Sequence, residues 1–372
     1  MALPLQLRVL FSMEGTICWS DLPQCLLELI LQRLSMPDRL LFGSVCRSWC
    51  IAKRQCRVLP FIIFYRFVTR KETIEIFSLP DKRIYKMQVQ EIDARSLCIS
   101  TSHGWMLFQP DNTYFTSVLV KNEEHVVLPR LEFSVCYLDC LFFSTQLDPD
   151  GVIFVRKSNN TFLLYRCCER QFYEHQWRET VVSNTIFFEG KLYALSINKG
   201  KNRKLHSLSD EDWNLTVINP LFPDDSATVK MKLKLRNNTQ LLPTLKNRVF
   251  VLVESCGEIL IVRMMGNGGL IFKCDVFRAD LTEMEWMKVE SLGDRMLFLS
   301  HGSSISVSAR EMSCKGNRIY YIPTPSHREA VYRAFGRTNT PFVEFELGGD
   351  QMIIHSLPDY QYFVIGCAWL TP

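Results

Sequence analysis

Cysteines, histidines and paired carboxylates are the residue types in this chain that could support catalysis or bind a metal. The sequence has 14 cysteines and 7 histidines. A zinc site or a redox pair requires short spacings such as Cys-x-x-Cys, which is absent, and the histidines have no ligand-set spacing. The acidic pairs Glu123-Glu124 and Asp224-Asp225 are direct neighbours, which point to opposite faces of a strand. The sequence therefore predicts no catalytic residue, no metal site and no cofactor.

Motifs of nucleophilic and nucleotide-dependent enzymes are also absent from the sequence. There is no Gly-x-Ser-x-Gly, no glycine-rich phosphate loop and no His-Glu-x-x-His. Arg47, Lys53 and Arg54 lie near two cysteines, a setting that can activate a thiol. Cys46 nevertheless belongs to a run, Val45 to Trp49, whose residue types indicate packing. We therefore expect a protein that is not an enzyme.

Charge and hydropathy exclude further classes of function. The 43 basic and 39 acidic side chains give a net charge of +4, which argues against a nucleic-acid-binding protein. No apolar run reaches the about 18 residues of a membrane span. Residues 1–16 form an apolar leader without the charged start of a secretory signal, and we expect it to be disordered. Irregularly spaced cysteines are typical of reduced thiols, so we expect a cytoplasmic or nuclear protein.

A helical segment between Trp19 and Trp49 is the first element that the sequence predicts. Asp21 is a suitable N-cap, and Pro23 falls in the first turn, where its missing N–H costs little. Ser35 and Asp38 resemble a capping box that opens a second helix, and a third begins near Val45. The apolar stripe of the first helix repeats every four residues: Leu22, Leu26, Ile30 and Leu34.

The order of Leu22-Pro23, the helical leucines and Val45-Cys46-Arg47-Ser48-Trp49 resembles the F-box. F-box proteins dock through this motif on a Skp-type adaptor of a cullin-RING ubiquitin ligase. The resemblance implies a helical domain at residues 17–58 that carries the adaptor contacts. The residues implied in these contacts are Leu22, Pro23, Leu26, Ile30, Leu34, Leu40, Leu41, Val45 and Trp49.

Short β-strands dominate the prediction for residues 59–372. Runs such as Val152-Ile-Phe-Val and Val249-Phe-Val-Leu-Val alternate with glycine, asparagine, aspartate and proline. Propeller blades of about 40–50 residues would divide this stretch into about six or seven blades. The predicted fold is mainly β with a small N-terminal all-α unit: a three-helix F-box followed by an irregular β-propeller. Stacked β-sandwiches are the alternative.

A second resemblance spans most of the chain, and its first mark is the stretch Ser102–Leu107. The stretches Val289–Ser300, Ile305–Glu311 and Cys314–Tyr321, together with the closing Trp369-Leu-Thr-Pro372, are similar to a large family of plant F-box proteins. In that family the F-box precedes a propeller-like domain of unassigned function. This resemblance supports the prediction of a propeller-like domain and does not identify a ligand for it.

Two basic groups and several aromatic residues are candidates for contact with a partner. One basic group alternates with apolar residues as in a strand: Lys230, Lys232, Lys234 and Arg236. The other lies in a polar loop: Lys199, Lys201, Arg203 and Lys204. Each group is either a solvated surface or a docking patch for an acidic partner. Aromatic residues at strand spacing usually belong to the core, and the ones that are candidates for partner contact are Trp105, Tyr114, Phe115, Trp177, Trp213 and Trp286.

The function that these features predict is that of a non-catalytic substrate receptor. The F-box would hold the Skp-type adaptor and, through it, the cullin and RING subunits. The β domain would bind an unknown target protein for ubiquitination. A different class of function also fits the sequence: a β module that binds a small molecule or glycan and joins an assembly through the F-box without degrading anything.

Overall fold

The computed structural model describes most of the chain, in two compact units. The described residues are 18–34, 38–39, 42–43, 45–55, 60–66, 73–79, 82–88, 97–102, 105–109, 118–121, 124–127, 140–143, 152–156, 161–166, 169–176, 180–198, 213–218, 228–235, 247–267, 270–300, 303–312, 314–323, 330, 333, 342–349, 351–355 and 364–370. The helical unit is Met1–Val58 and the β unit is Leu59–Pro372. No helix among the described residues has the length and apolar character needed to cross a membrane.

The helical unit contains a 3-10 turn, Trp19–Asp21, and two α-helices, α1 (Gln24–Arg33) and α2 (Arg47–Gln55). Asp38, Arg39 and Phe42, between these helices, are also helical. Asp21 was expected to cap α1, but the N-cap is Pro23 and it makes no side-chain cap bond. The reason is steric: a residue before proline favours the extended backbone that Leu22 adopts, with φ −60° and ψ 133°. The first helix therefore begins after the proline.

The strands of the β unit are short and follow one another along the described chain. They are β1 (Phe61–Arg66), β2 (Thr73–Ser78), β3 (Arg83–Gln88), β4 (Leu97–Ser102), β5 (Trp105–Gln109), β6 (Val118–Lys121), β7 (Glu124–Val127), β8 (Cys140–Phe143), β9 (Val152–Arg156), β10 (Thr161–Arg166), β11 (Gln171–Gln176), β12 (Thr180–Phe188), β13 (Lys191–Asn198), β14 (Trp213–Ile218), β15 (Thr228–Lys232), β16 (Lys234–Leu235), β17 (Asn247–Ser255), β18 (Glu258–Asn267), β19 (Leu270–Asp280), β20 (Glu285–Val289), β21 (Arg295–Leu299), β22 (Ser304–Ser308), β23 (Arg318–Tyr321), β24 (Phe342–Glu346), β25 (Met352–His355) and β26 (Val364–Leu370).

These described strands form six sheets, numbered I to VI in chain order. Their strand orders are β26-β1-β2-β3, β4-β5-β6-β7, β8-β9-β10-β11, β12-β13-β14-β15, β17-β18-β19-β20-β16 and β22-β21-β23-β24-β25. Neighbours are antiparallel except for two parallel pairs, β16 with β20 and β21 with β23. Sheet I is completed from the far end of the chain, since β26 pairs with β1 through Phe61 opposite Leu370.

Apolar clusters lie between sheets III and IV, IV and V, V and VI, and VI and I. Strand β18 shows the cause, because its side chains alternate between two buried faces. Leu260 and Val262 join the cluster with sheet VI, and Ile261 joins the cluster with sheet IV. Trp286 is fully buried in the second of these clusters. Of the six aromatic candidates it is the one whose side chain the structure describes, and it is a core residue.

Polar side chains bridge the first strands of neighbouring sheets. Asn184 of β12 accepts a hydrogen bond at Oδ1 from the backbone N–H of Leu252 in β17, at 2.7 Å. The Ser304 hydroxyl of β22 donates to the Leu252 carbonyl at 2.6 Å. A buried ion pair lies further into sheet V, where Arg263 Nη2 is 2.5 Å from the Asp275 carboxylate on the adjacent strand. These bonds satisfy polar groups that would be costly to bury alone.

Candidate functional site

The helical unit has its own small core, formed where α1 meets α2. Leu27, Leu31, Phe42 and Ala52 are almost completely buried in it. Helix α1 therefore turns Leu27 and Leu31 inward. The four-residue stripe predicted from the sequence contains neither leucine, because a helix with leucine on most of its surface does not show which side faces the core.

The residues implied in adaptor contact occupy different environments. Leu22, Ile30, Leu34 and Trp49 are half-buried and pack against this core. Leu26 is also half-buried, whereas Pro23 and Val45 are exposed. Leu40 and Leu41 lie outside the described residues. Of the set whose side chains are described, none is fully buried, so all seven retain some accessible surface.

Exposed large apolar side chains are concentrated in the helical unit. Six are found in the described part of the chain, and four of them, Trp19, Leu29, Val45 and Ile51, belong to this unit, with exposures of 65%, 46%, 57% and 44%. A concentration of exposed apolar surface is typical of a protein-docking site. The sequence reasoning assigned Val45 to this role and missed the other three. The helical spacing of Ile51, four residues after Arg47, could have indicated that it lies on the polar face of α2.

Two hydrogen bonds attach the 3-10 turn to the start of α2. Trp49 donates from its indole nitrogen to the carbonyl of Trp19 at 2.9 Å. The hydroxyl of Ser48 donates to the carbonyl of Ser20 at 2.8 Å. Residues from both ends of the sequence motif are therefore in direct contact, although about 30 residues separate them in sequence.

Arg39 supports this arrangement at the opposite end of α1. Its buried guanidinium donates from Nε to the carbonyl of Leu31 at 3.0 Å. The last carbonyls of a helix have no partner within the helix, and a cation there also complements the helix dipole. The bond fixes the chain between the two helices against the end of α1, a role that the sequence did not reveal.

Cys46 precedes the first residue of α2, and its thiol is hydrogen-bonded to the Ser48 hydroxyl at 3.1 Å. This bond, with help from the backbone N–H of Trp49, lowers the pKa of the Cys46 thiol below its ordinary value. The setting is that of a capping side chain, because backbone N–H groups at a helix start stabilise negative charge. The cysteine of the motif therefore contributes to the start of the helix.

In the β unit, the predicted basic strand lies at the edge of sheet IV and continues to the edge of sheet V. Lys230 and Lys232 belong to β15, opposite Thr216 and Asn214 of β14. Leu233 then enters the core between the sheets, and Lys234 pairs in parallel with Glu285 of β20. Lysine at a sheet edge discourages pairing with other chains, which is the structural explanation for this pattern.

The remaining predicted basic residues, Lys199, Lys201, Arg203, Lys204 and Arg236, lie outside the described residues. Among the residues that are described, no cluster of three or more histidine, cysteine, aspartate or glutamate side chains could hold a metal ion. The helical unit is thus the described region that carries most of the exposed large apolar side chains.

Comparison with protein families gives two matches. Residues 19–60 match the F-box domain. Residues 76–340, more than half of the chain, match the KIB1-4 beta-propeller. Among solved structures, the tricorn protease aligns with a TM-score of 0.40 and 12% identity, over 80% of this chain and 30% of the protease chain. A score this low carries no argument about fold or function.

Curated relatives come from Arabidopsis thaliana and extend over most of the chain. An F-box/kelch-repeat protein is 24% identical, with 82% of each chain covered. The F-box protein KIB4 is 25% identical, with 82% of this chain and 81% of the relative covered. The chain therefore belongs to the plant F-box proteins that carry a KIB1-4 beta-propeller domain.

Proposed function

We propose that this protein is the substrate-recognition subunit of a Skp/cullin/F-box ubiquitin ligase. One observation carries the proposal: four of the six exposed large apolar side chains in the described residues lie in the helical unit. Such a surface is stabilised when a protein partner covers it. An F-box surface fits a Skp-type adaptor, and the cullin and RING subunits follow through that adaptor.

The β unit is proposed to be a six-bladed propeller that holds the target protein. Two features support this arrangement. The first strands of the sheets lie beside one another in chain order, from β26 through β4, β8, β12 and β17 to β22. Sheet VI meets sheet I at Trp369, whose backbone N–H donates to the Ser303 hydroxyl at 3.1 Å. Closure into a ring protects strand edges that an open sheet would expose.

In this role the protein would accelerate ubiquitination by proximity alone. A target held on the β unit and a charged conjugating enzyme held through the adaptor would react as parts of one assembly. The target lysine is then present at a high effective concentration near the conjugating enzyme, so that a slow bimolecular encounter is no longer needed. The receptor itself would perform no bond-making step. The expected site of action is the cytoplasm, the nucleus or both.

Affinity purification from plant cells with the proteasome blocked tests the proposal. We expect Skp-type adaptor and cullin to co-purify with the full chain, and target proteins to accumulate on it. A chain that captures neither adaptor nor cullin would overturn the assignment. A chain that captures both, while no bound protein is stabilised by proteasome inhibition, would contradict the role in degradation.

A further inference from the structure

Trp49 uses both its ring and its N–H inside the helical unit. The ring lies against Phe42, with centroids 4.4 Å apart and an angle of 33° between the planes. Phe42 is in turn buried with Leu27 and Leu31. The indole nitrogen donates to the carbonyl of Trp19 at 2.9 Å. Because both its ring and its N–H make contacts inside the unit, Trp49 offers little surface to a partner, although it belongs to the predicted docking set.

Trp19 has the opposite environment, with a fixed backbone and an open side chain. Its carbonyl accepts the bond from Trp49, and the next carbonyl, that of Ser20, accepts the bond from Ser48. The turn is closed by a third bond, from the backbone N–H of Asp21 to the carbonyl of Cys18 at 3.0 Å. The indole of Trp19 nevertheless remains 65% exposed, the highest value among the large apolar side chains described.

An exposed tryptophan on a fixed backbone has the properties of an interface anchor. Tryptophan is enriched among the residues that dominate binding energy, and a fixed backbone reduces the ordering cost of association. Val45, three residues before Ser48, is also exposed, at 57%. The match to the F-box domain begins at Trp19, which places this residue within the adaptor-binding module.

We infer that Trp19 is an adaptor-contacting anchor and that Trp49 is a positioning residue, which supports the interface by holding the Trp19 carbonyl. The occupant of this surface is the Skp-type adaptor, and the inference therefore rests on the proposed function. It adds Trp19 to the docking set and gives Trp49 an indirect role. Loss of the indole N–H should weaken adaptor binding only while the Trp19 side chain is present.

A double-mutant cycle on the full chain tests this dependence. The affinity of a recombinant plant Skp-type adaptor would be measured for Trp19→Ala, for Trp49→Phe and for the double variant. Phenylalanine keeps a ring against Phe42 and removes the N–H. We expect Trp19→Ala to weaken binding about 30-fold, as for an interface hot spot. Trp49→Phe should weaken it about 5-fold, as for one lost hydrogen bond. The double variant should bind no more weakly than Trp19→Ala.

Controls separate this inference from the function on which it rests. Phe272→Ala, which removes an exposed aromatic from β19 in the β unit, should leave adaptor affinity unchanged. Unchanged affinity in Trp19→Ala would overturn the anchor role. An equal effect of Trp49→Phe with and without Trp19 would overturn the positioning role. A wild-type chain that does not bind adaptor would overturn both the proposed function and this inference.

A measurement on the wild-type chain avoids the risk that a variant fails to fold. Hydroxyl-radical footprinting with and without adaptor reports which side chains become covered. We expect adaptor to protect Trp19 strongly and to change the oxidation of Trp49 little, because Trp49 already packs against Phe42. Equal oxidation of Trp19 in both samples would overturn the inference.

Discussion

Trp369 and Leu299 connect the last strand of the described chain to sheet VI. The indole nitrogen of Trp369 donates to the carbonyl of Leu299 at 2.9 Å, across 70 residues of sequence. Trp369 is fully buried, and its ring meets Phe298 edge-on with centroids 4.9 Å apart. The strand that carries it, β26, completes sheet I by pairing with β1. One side chain therefore joins sheet I to sheet VI.

We predict that Trp369→Ala strongly destabilises the β unit. The substitution removes a large buried side chain and leaves the Leu299 carbonyl without this donor. Loss of a buried tryptophan typically costs about 3–5 kcal/mol. Urea unfolding of the full chain measures the change in the free energy of unfolding. Phe272→Ala, a truncation at an exposed position, is the matched control and should cost far less. Equal effects of the two substitutions would contradict a stabilising role for Trp369 between sheets I and VI.

Two leucines that are neighbours in sequence should behave differently. Leu27 is buried in the core of the helical unit, whereas Leu26 is half-buried. We expect Leu26→Ala combined with Ile30→Ala to abolish adaptor pull-down, because hot-spot truncations each cost about 2 kcal/mol or more. The β unit should remain folded. We expect Leu27→Ala to act through folding, at a cost of about 2–5 kcal/mol.

Adaptor pull-down and helical circular dichroism, measured on the same samples, distinguish these two outcomes. The double variant should lose binding while the helical signal changes little. Leu27→Ala should lose both together. Adaptor binding retained by the double variant would refute the docking assignment for Leu26 and Ile30.

The lysines of β15 allow a test of the proposed docking patch. If the patch binds an acidic partner, retention of the chain on immobilised poly-glutamate should fall as ionic strength rises. The reason is that salt weakens the attraction between exposed charges, and at 0.1 M it largely screens charges more than about 10 Å apart. Lys230→Glu with Lys232→Glu should then elute at lower salt than the wild type. Glu285→Gln, opposite Lys234 on β20, is a control outside β15. If neither added salt nor charge reversal changes retention, these lysines form a solvated sheet edge and not a docking patch.

The thiol of Cys46 should ionise at lower pH than an ordinary cysteine. Its pKa is lowered mainly by the hydrogen bond with Ser48, which stabilises the thiolate. At a pH below the ordinary cysteine value, a larger fraction of Cys46 is therefore the reactive thiolate. We expect the pH midpoint of its alkylation rate to rise in Ser48→Ala and to return in Ser48→Thr.

Mass spectrometry of iodoacetamide-labelled peptides gives the rate at each cysteine separately. Cys256, an exposed thiol in the β unit, serves as the internal control. Its labelling should not respond to substitution at Ser48. An unchanged midpoint for Cys46 in Ser48→Ala would show that the hydroxyl does not set the pKa of this thiol.

The spacing of apolar residues along the chain was sufficient to predict many of the helices and strands. The four-residue spacing from Leu22 to Leu34 indicated the first helix, and α1 covers Gln24–Arg33. Alternating apolar runs indicated strands, and Val249–Val253 lies within β17. The F-box motif could be recognised because its residues stand in a fixed order within a short segment. These features depend on contacts between residues close in sequence, and the sequence displays them directly.

The local sequence pattern did not predict which side of α1 faces the core or where this helix begins. The helical spacing did not show that Leu27 turns inward while Leu29 is exposed, because both belong to a broad apolar face. It also did not show that a proline would displace the N-cap from Asp21. Both outcomes depend on how α1 packs and starts, which involves residues outside the repeat.

The sequence by itself determined the class of this protein: an F-box motif followed by a β-rich chain. Tertiary structure decided which strands pair, including β26 with β1 and β16 with β20. It also decided that Trp286 is core and that Trp19 is exposed beside the bond from Trp49. The physical reason is distance along the chain. Strand pairing and burial depend on contacts between residues far apart in sequence, and no local repeat specifies them.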